Sequence, residues 1–201
     1  MNAVRASILG VALLASGCFG NEVTEFPEGL EPLGENTLPG PGTAEDPYPE
    51  TFQVEGMDGS RFSTILGRGY IHAPPAEVYA AYQNPAVGAD RRTSPEWTSE
   101  PASVEGTPYE NSFVIYHVAH DIVTVEWWVT WRFGIIEGTP GDPQLISLRW
   151  QKTDGSTLIS RIEGSILLRP VGDGSITEVE LVYHASAAGS GTDTYVRYMN
   201  D

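Results

Sequence analysis

Gly69-Tyr70-Ile71-His72-Ala73-Pro74-Pro75-Ala76-Glu77-Val78-Tyr79-Ala80-Ala81-Tyr82 changes its conformational preference halfway along, and that change decides the fold class. Ser63 to Ile71 suits a first strand. After the two prolines, Val78 and Tyr82 lie four apart and share one face of a short helix. Proline is tolerated in a first helical turn, where its missing N–H has no partner to lose. Asn84-Pro85 stops this helix, and Pro85 to Asp90 suits a second helical turn.

Downstream the periodicity is that of strands. Val123, Val125, Trp127, Val129, Trp131 and Phe133 alternate with Thr124, Glu126, Trp128, Thr130 and Arg132, so one apolar face meets a core. Trp97 to Val104 reads as a weak strand and Phe113 to His120 as a less polar one. Leu145 to Lys152 sets Ile146, Leu148 and Trp150 against Ser147, Arg149 and Gln151. Ile162, Gly164, Ile166 and Leu168 alternate with Arg161, Glu163, Ser165 and Arg169, followed by a strand over Ile176 to Ala185. Asp154-Gly155-Ser156 and Val171-Gly172-Asp173-Gly174 are turn signals, and strands so closely spaced imply an antiparallel sheet. Gly191 to Met199 suits a last helix with a Thr or Asp cap.

Upstream, the chain carries an address. Its 201 residues hold 11 Lys+Arg against 27 Asp+Glu, a net charge of −16, which repels phosphate backbones and excludes nucleic acid as the main partner. No apolar run approaches the roughly 18 residues of a membrane-spanning helix. Arg5, the apolar run Ile8 to Leu14, and Ala15-Ser16-Gly17 read as a secretory signal over 1–17. The small residues directly before Cys18, the only cysteine, resemble the lipobox of bacterial lipoproteins. That resemblance implies acylation at Cys18 and a membrane anchor, with Phe19, where inner-membrane lipoproteins carry Asp, pointing to the outer membrane or periplasmic side. An ordinary signal peptide with a free cysteine is the alternative. Residues 19–60 hold ten acidic residues, no Lys or Arg, six prolines and seven glycines, too polar to pack alone. The expected organisation is a signal over 1–17, a flexible acidic tether over 18–48 and a folded domain over 49–201.

A strand, a short helix pair, six antiparallel strands and a terminal helix is an α+β order that resembles the helix-grip fold of START domains, Bet v 1 allergens and bacterial polyketide cyclases. Gly69 to Ala81 resembles its opening. Gly164-Ser165-Ile166-Leu167-Leu168-Arg169-Pro170, then Asp173-Gly174-Ser175 and Thr177 to Tyr183, resembles the hairpin before its last helix. The resemblance implies a curved antiparallel sheet gripped by a C-terminal helix, with a pocket between them for lipids, sterols, polyketides or other apolar ligands. Only about ten residues follow Ser190, about 15 Å of helix. The grip helix is therefore short or truncated, and part of the apolar face is expected to stand open to solvent or to a protein partner. A lipocalin barrel is the rival fold, disfavoured by the helix after the first strand.

Trp127, Trp131, Trp150 and Tyr183 on apolar phases, with Ile166 and Leu168, offer walls for an apolar ligand. His117 or Tyr116 would orient its polar end if inward, and periodicity leaves that phase open. His117-Val118-Ala119-His120-Asp121 has metal-ligand chemistry, but residues three apart on a strand point to opposite faces, so no metal is expected. Glu163, Glu178 and Glu180 fall on polar phases and read as a solvated face. No nucleophile elbow or phosphate-cradling glycine loop is present in the sequence, and no cofactor is expected. The reading is a membrane-anchored binding protein for a hydrophobic small molecule. A surface lipoprotein whose open sheet docks a partner, and a cyclase-like enzyme, remain as alternatives.

Overall fold

A computed structural model describes residues 24–89, 92, 94–102, 109–120 and 123–200. The signal segment 1–17, Cys18 and Asp121 lie outside the described residues. β1 (Phe52–Asp58) and β2 (Ser63–Ile71) form a hairpin, from which α1 (Pro75–Tyr82) and α2 (Pro85–Gly88) lead toward the far edge of the sheet. The chain then meanders back through β3 (Glu96–Pro101), β4 (Asn111–His120), β5 (Thr124–Thr139), β6 (Asp142–Gly155), β7 (Ile159–Val171) and β8 (Ile176–Ala187), and α3 (Thr192–Asn200) follows. All neighbours pair antiparallel in one eight-stranded sheet, β1-β2-β8-β7-β6-β5-β4-β3.

Six strands follow the helix pair, as their alternation predicts. β1 is an addition ahead of the expected first strand. It is an edge strand with Phe52 and Met57 largely exposed, and its acidic, glycine-containing sequence conceals it. β1 pairs along its length with β2, and α3 packs on it: a Cβ on Gly56 would lie 2.4 Å from Thr192 Cγ2 and 2.5 Å from Val196 Cγ2, so the helix rests on the strand backbone. Thr192 Oγ1 also donates to Asp58 and shares a hydrogen bond with Ser63 Oγ.

Register shifts in β5 against β6, at Trp128/Val129 and between Ile135 and Gly138, insert bulges that bend the sheet. The concave face carries the main core, in which Ile65, Ile115, Phe133, Ile146, Leu148 and Leu168 are fully buried. α1 packs on β6, β7 and β8 at one end of that face through Val78 and Tyr79. Thr177 Oγ1 donates to Ala73 O at 2.7 Å and ties the start of α1 to β8. Asn84 caps α2 by accepting from Ala86 N. The expected open apolar face is thus largely covered. The C-terminal helix α3 is short, as expected, and α1 and α2 lie over the face beside it.

The acidic tether expected over 18–48 is corrected in its described part. Residues 24–50 form no helix or strand, as their proline and glycine content dictates, yet they lie against the convex face as a strap. Asn36 Nδ2 donates to Gly67 O and Leu181 O, Leu33 N donates to Ser165 Oγ, and Arg149 Nη1 donates to Glu31 O. Leu38 packs with Leu66 and Val182 in a second small core. Arg132 lies over the rings of Phe26 and Tyr109 at 4.0 and 5.2 Å, a pair of cation–π contacts. Composition predicts absence of regular structure and says nothing of docking. A segment without helix or strand can still find hydrogen-bond partners on a polar sheet face.

Candidate ligand-binding site

Strand register assembles the site in rows across the concave face. Phe113, Trp131, Trp150, Gly164 and Tyr183 are successive cross-strand partners on β4, β5, β6, β7 and β8. Trp131 and Trp150 stack at 4.7 Å and 19°, and Trp150 and Tyr183 lie 6.1 Å apart at 28°. Parallel neighbours of this kind add about 0.5–1.5 kcal/mol per pair beyond the area they bury. Two rows nearer the open end, beyond the pair Ile115 and Val129, His117 and Trp127 are partners, with rings stacked at 5.0 Å and 8°. One row deeper run Phe133, Leu148, Ile166 and Leu181, an apolar layer below the indoles.

These rows line a cavity of about 580 Å³, bordered by Tyr82, Val87 and Gly88 from the helix pair and by Tyr198 and Met199 from α3. A clasp spans its mouth. Arg92, in the connection after α2, donates to Tyr198 O and holds its guanidinium 4.1 Å above the Tyr198 ring. A cation at a helix C-terminus meets the unsatisfied carbonyls of the last turn, so the clasp suits the end of α3 electrostatically. Glu50, Thr51 and Phe52, where the strap enters β1, complete the rim.

Of the residues singled out by sequence, Trp127, Trp131, Trp150, Tyr183, Ile166 and His117 all line the cavity. Leu168 does not. It shares its row with Ile146 and Val179, deep beneath α1, and is fully buried core. The open question of phase on β4 resolves: His117 points inward, 3% exposed, with Nδ1 2.8 Å from the buried Ser94 Oγ. Tyr116 points outward, its ring 4.7 Å from that of Trp128. His120 is exposed, beside Thr124 and Glu96, so the two imidazoles of the His-x-x-His stretch lie on opposite faces.

Sequence reasoning missed the lids. Tyr82, Val87, Arg92, Tyr198 and Met199 come from segments with no long periodic pattern, and only the position of Tyr82 on the apolar side of α1 was legible. Phe52 was missed as well; its ring fills the space over Gly67 and Gly69, where added Cβ atoms would lie 2.6 and 2.7 Å from it. Burial pushes the Tyr82 hydroxyl above the usual phenol range, so at neutral pH it stays a neutral donor at the wall. Trp131 Nε1–H is buried with no hydrogen-bond partner among the described residues.

Lys152, opposite Val129 on the concave phase, is 1% exposed. Burial lowers its ammonium pKa and the Asp154 carboxylate opposes that shift. On the convex face Glu163 is not the solvated residue its phase suggested. It is 4% exposed. It accepts from Arg161 Nη1 at 2.7 Å and lies 3.1 Å from His184 Nδ1. Burial raises its pKa, but the hydrogen bonds from His184 and Thr24 and the charge of Arg161 outweigh burial and leave it below the ordinary value.

No protein-family model and no curated protein sequence matches the chain. Among solved structures it is similar to the human StarD13 (DLC2) lipid transfer and protein localization domain, at 10% identity over 76% of this chain and 79% of that one, with a TM-score of 0.48. It is also similar to the Zhui aromatase/cyclase of Streptomyces sp. R1128, at 12% identity over 66% and 73%, TM-score 0.43. A third likeness is to TTHA0849 of Thermus thermophilus, at 20% identity over 68% and 82%, TM-score 0.42. At these identities they are likenesses of shape. The strand order, the helix pair after β2 and the C-terminal helix over the concave face make this domain a helix-grip fold.

Proposed function

We propose that the domain holds a hydrophobic small molecule in its concave cavity and is carried on a membrane by an acylated Cys18. One observation carries the first half: a cavity of about 580 Å³ walled by Trp127, Trp131, Trp150, Tyr183 and Ile166 and flanked by residues of three helices. A space of that size with few polar groups matches the dimensions and chemistry of small-molecule sites. An apolar occupant would gain dispersion contacts with these walls. His117 and Arg92 stand where the occupant's polar end would be received.

The membrane half is supported by sequence alone, in the apolar run followed by Ala15-Ser16-Gly17-Cys18. Acyl chains contribute about 0.8 kcal/mol per buried methylene, so several together make attachment nearly permanent. The strap that follows would place the domain directly above the anchor.

Native mass spectrometry of the full chain, extracted gently from its own membranes, tests both halves. A bound apolar mass that leaves on denaturation, and a denatured mass carrying acyl groups lost in Cys18→Ser, are the expected results. Uniformly empty protein sinks the binding reading, and an unmodified Cys18 sinks the anchor.

A further inference from the structure

Resting on the reading of Cys18 as acylated, we propose that the end of the sheet carrying Val123 and Leu158 docks on a neutral phospholipid surface, and that the strap imposes this orientation. The described strap begins at Thr24, whose Oγ1 accepts from Gln151 Nε2 and which hydrogen-bonds Glu163 on the convex face. From there the strap runs away from this end: Leu33 meets Ser165, Asn36 meets Leu181 and Gly67, and Tyr48 packs on Tyr70. Only six peptide steps separate Thr24 from Cys18. An extended chain covers at most about 3.5 Å per step, so the anchor stands within about 21 Å of Thr24. Docking of the strap thus shortens the tether between domain and membrane to residues 18–23.

That reach selects an end. Leu158 lies five residues before Glu163, about 16 Å along an extended strand and inside the span. The turn at the opposite end begins at Gly172, nine residues beyond Glu163, about 30 Å away and outside it. Val123 directly precedes β5 as Leu158 directly precedes β7, and Ser156 N donates to Glu126 O at 2.8 Å, so the two tips are neighbours. Both side chains stand out from the sheet, Val123 54% and Leu158 43% exposed. The convex face is also within reach, but the strap lines it with exposed Glu25, Glu28, Glu31 and Glu35, whose carboxylates would have to leave water. Exposed Glu126 and Asp154 flank the two tips, so the surface they suit is zwitterionic and not anionic. Two half-exposed apolar side chains add little to the attachment that acyl chains supply. What they set is which end faces the lipid.

The test uses the full chain, extracted with its acyl groups and reconstituted into phosphatidylcholine vesicles. Acylation blocks the Cys18 thiol, so Val123→Cys, Leu158→Cys and, at the far end of β5, Ile136→Cys each offer one site for the fluorophore NBD. Doxyl-labelled phosphatidylcholine is expected to quench NBD at 123 and 158 at least threefold more steeply than at 136. Equal quenching at all three, or the steepest at 136, in protein whose denatured mass carries acyl groups overturns the docking end and leaves the anchor standing. A denatured mass without acyl groups overturns the anchor and the docking with it. Because NBD is itself apolar, amide hydrogen exchange is followed on unlabelled protein. Thr157 and Leu158 should exchange at least threefold more slowly on vesicles than in the free Cys18→Ser chain, with Gly172 and Gly174 unchanged; slowing at the glycines instead, or at neither turn, overturns the docking end. Exchanging a third of the phosphatidylcholine for phosphatidylglycerol at low salt should at least halve the quenching at 158, and stronger quenching overturns the preference for a neutral surface.

Discussion

The two faces of β7 alternate residue by residue, and they are buried by opposite means. Inward, Ile166 and Leu168 are covered by apolar side chains of neighbouring strands and by α1. Outward, Glu163 and Ser165 are buried just as deeply, at 4% and 1% exposure, and the residues after Thr24 lie over them. The concave face is buried chiefly by apolar side chains packing on one another. The convex face excludes water by substituting for it: strap carbonyls and amides take the places of solvent around Arg149 and Ser165. A polar strand phase is thus no measure of exposure when a hydrogen-bonding segment can lie across it.

The comparison is most sharply tested on the concave side, by Phe133→Ala. Phe133 is fully buried between Phe113 and Leu148, and truncation should cost about 4 kcal/mol of unfolding free energy in urea denaturation. A loss under 1 kcal/mol would mean that the inner face is not the main core. On the other side, Leu38→Ala empties the small strap core and should cost about 2.5 kcal/mol. It should also speed proteolysis within residues 24–50 ahead of the sheet. If the strap were merely resting on the surface, the variant would be as stable and as resistant as the parent.

Glu163→Gln keeps the shape but removes the charge that Arg161 and His184 meet, at an expected cost of about 2 kcal/mol at neutral pH. The pH dependence has a definite sign. Because the folded pKa lies below the ordinary 4.5, the ionised carboxylate stabilises the fold fully above that value, and the contribution is lost as pH falls through the lowered one. The gap between parent and variant should therefore close on acidification below about pH 4.5. A gap that persists or widens there would assign the effect to packing instead of charge. Smallest of all, Arg169→Ala at the exposed end of the same strand should cost about 0.5 kcal/mol and vanish in high salt, since its pair with Glu180 is open to solvent on the arginine side.

The site divides along the same line. Five of the seven residues chosen as ligand-binding lie at the cavity because β-alternation converts sequence position into a face, and the face with three tryptophans was visible in the sequence; His117 lies there too, on a phase that periodicity left open. Leu168 shows the limit of that rule. Its phase was right, yet depth within the face depends on where α1 lands, and no periodicity contains that. The lids were illegible for a related reason: α2 has four residues and α3 nine, too few to display a repeat, and their partners are distant in the chain.

By itself the sequence determined the strands of the meander, the helix pair after β2, the inward tryptophans and the acidic, proline-rich character of the N-terminal segment. Each is a local property, set by backbone sterics and a period of two or of 3.6 residues. Tertiary structure decided what covers what: that the strap lies on the convex face, that α3 seats on Gly56 of an edge strand, that Leu168 is core while Ile166 is wall, and that Gly164 makes room for an indole. These depend on surfaces that meet only in the folded chain, where the free energy belongs to the pair and is written in neither partner alone.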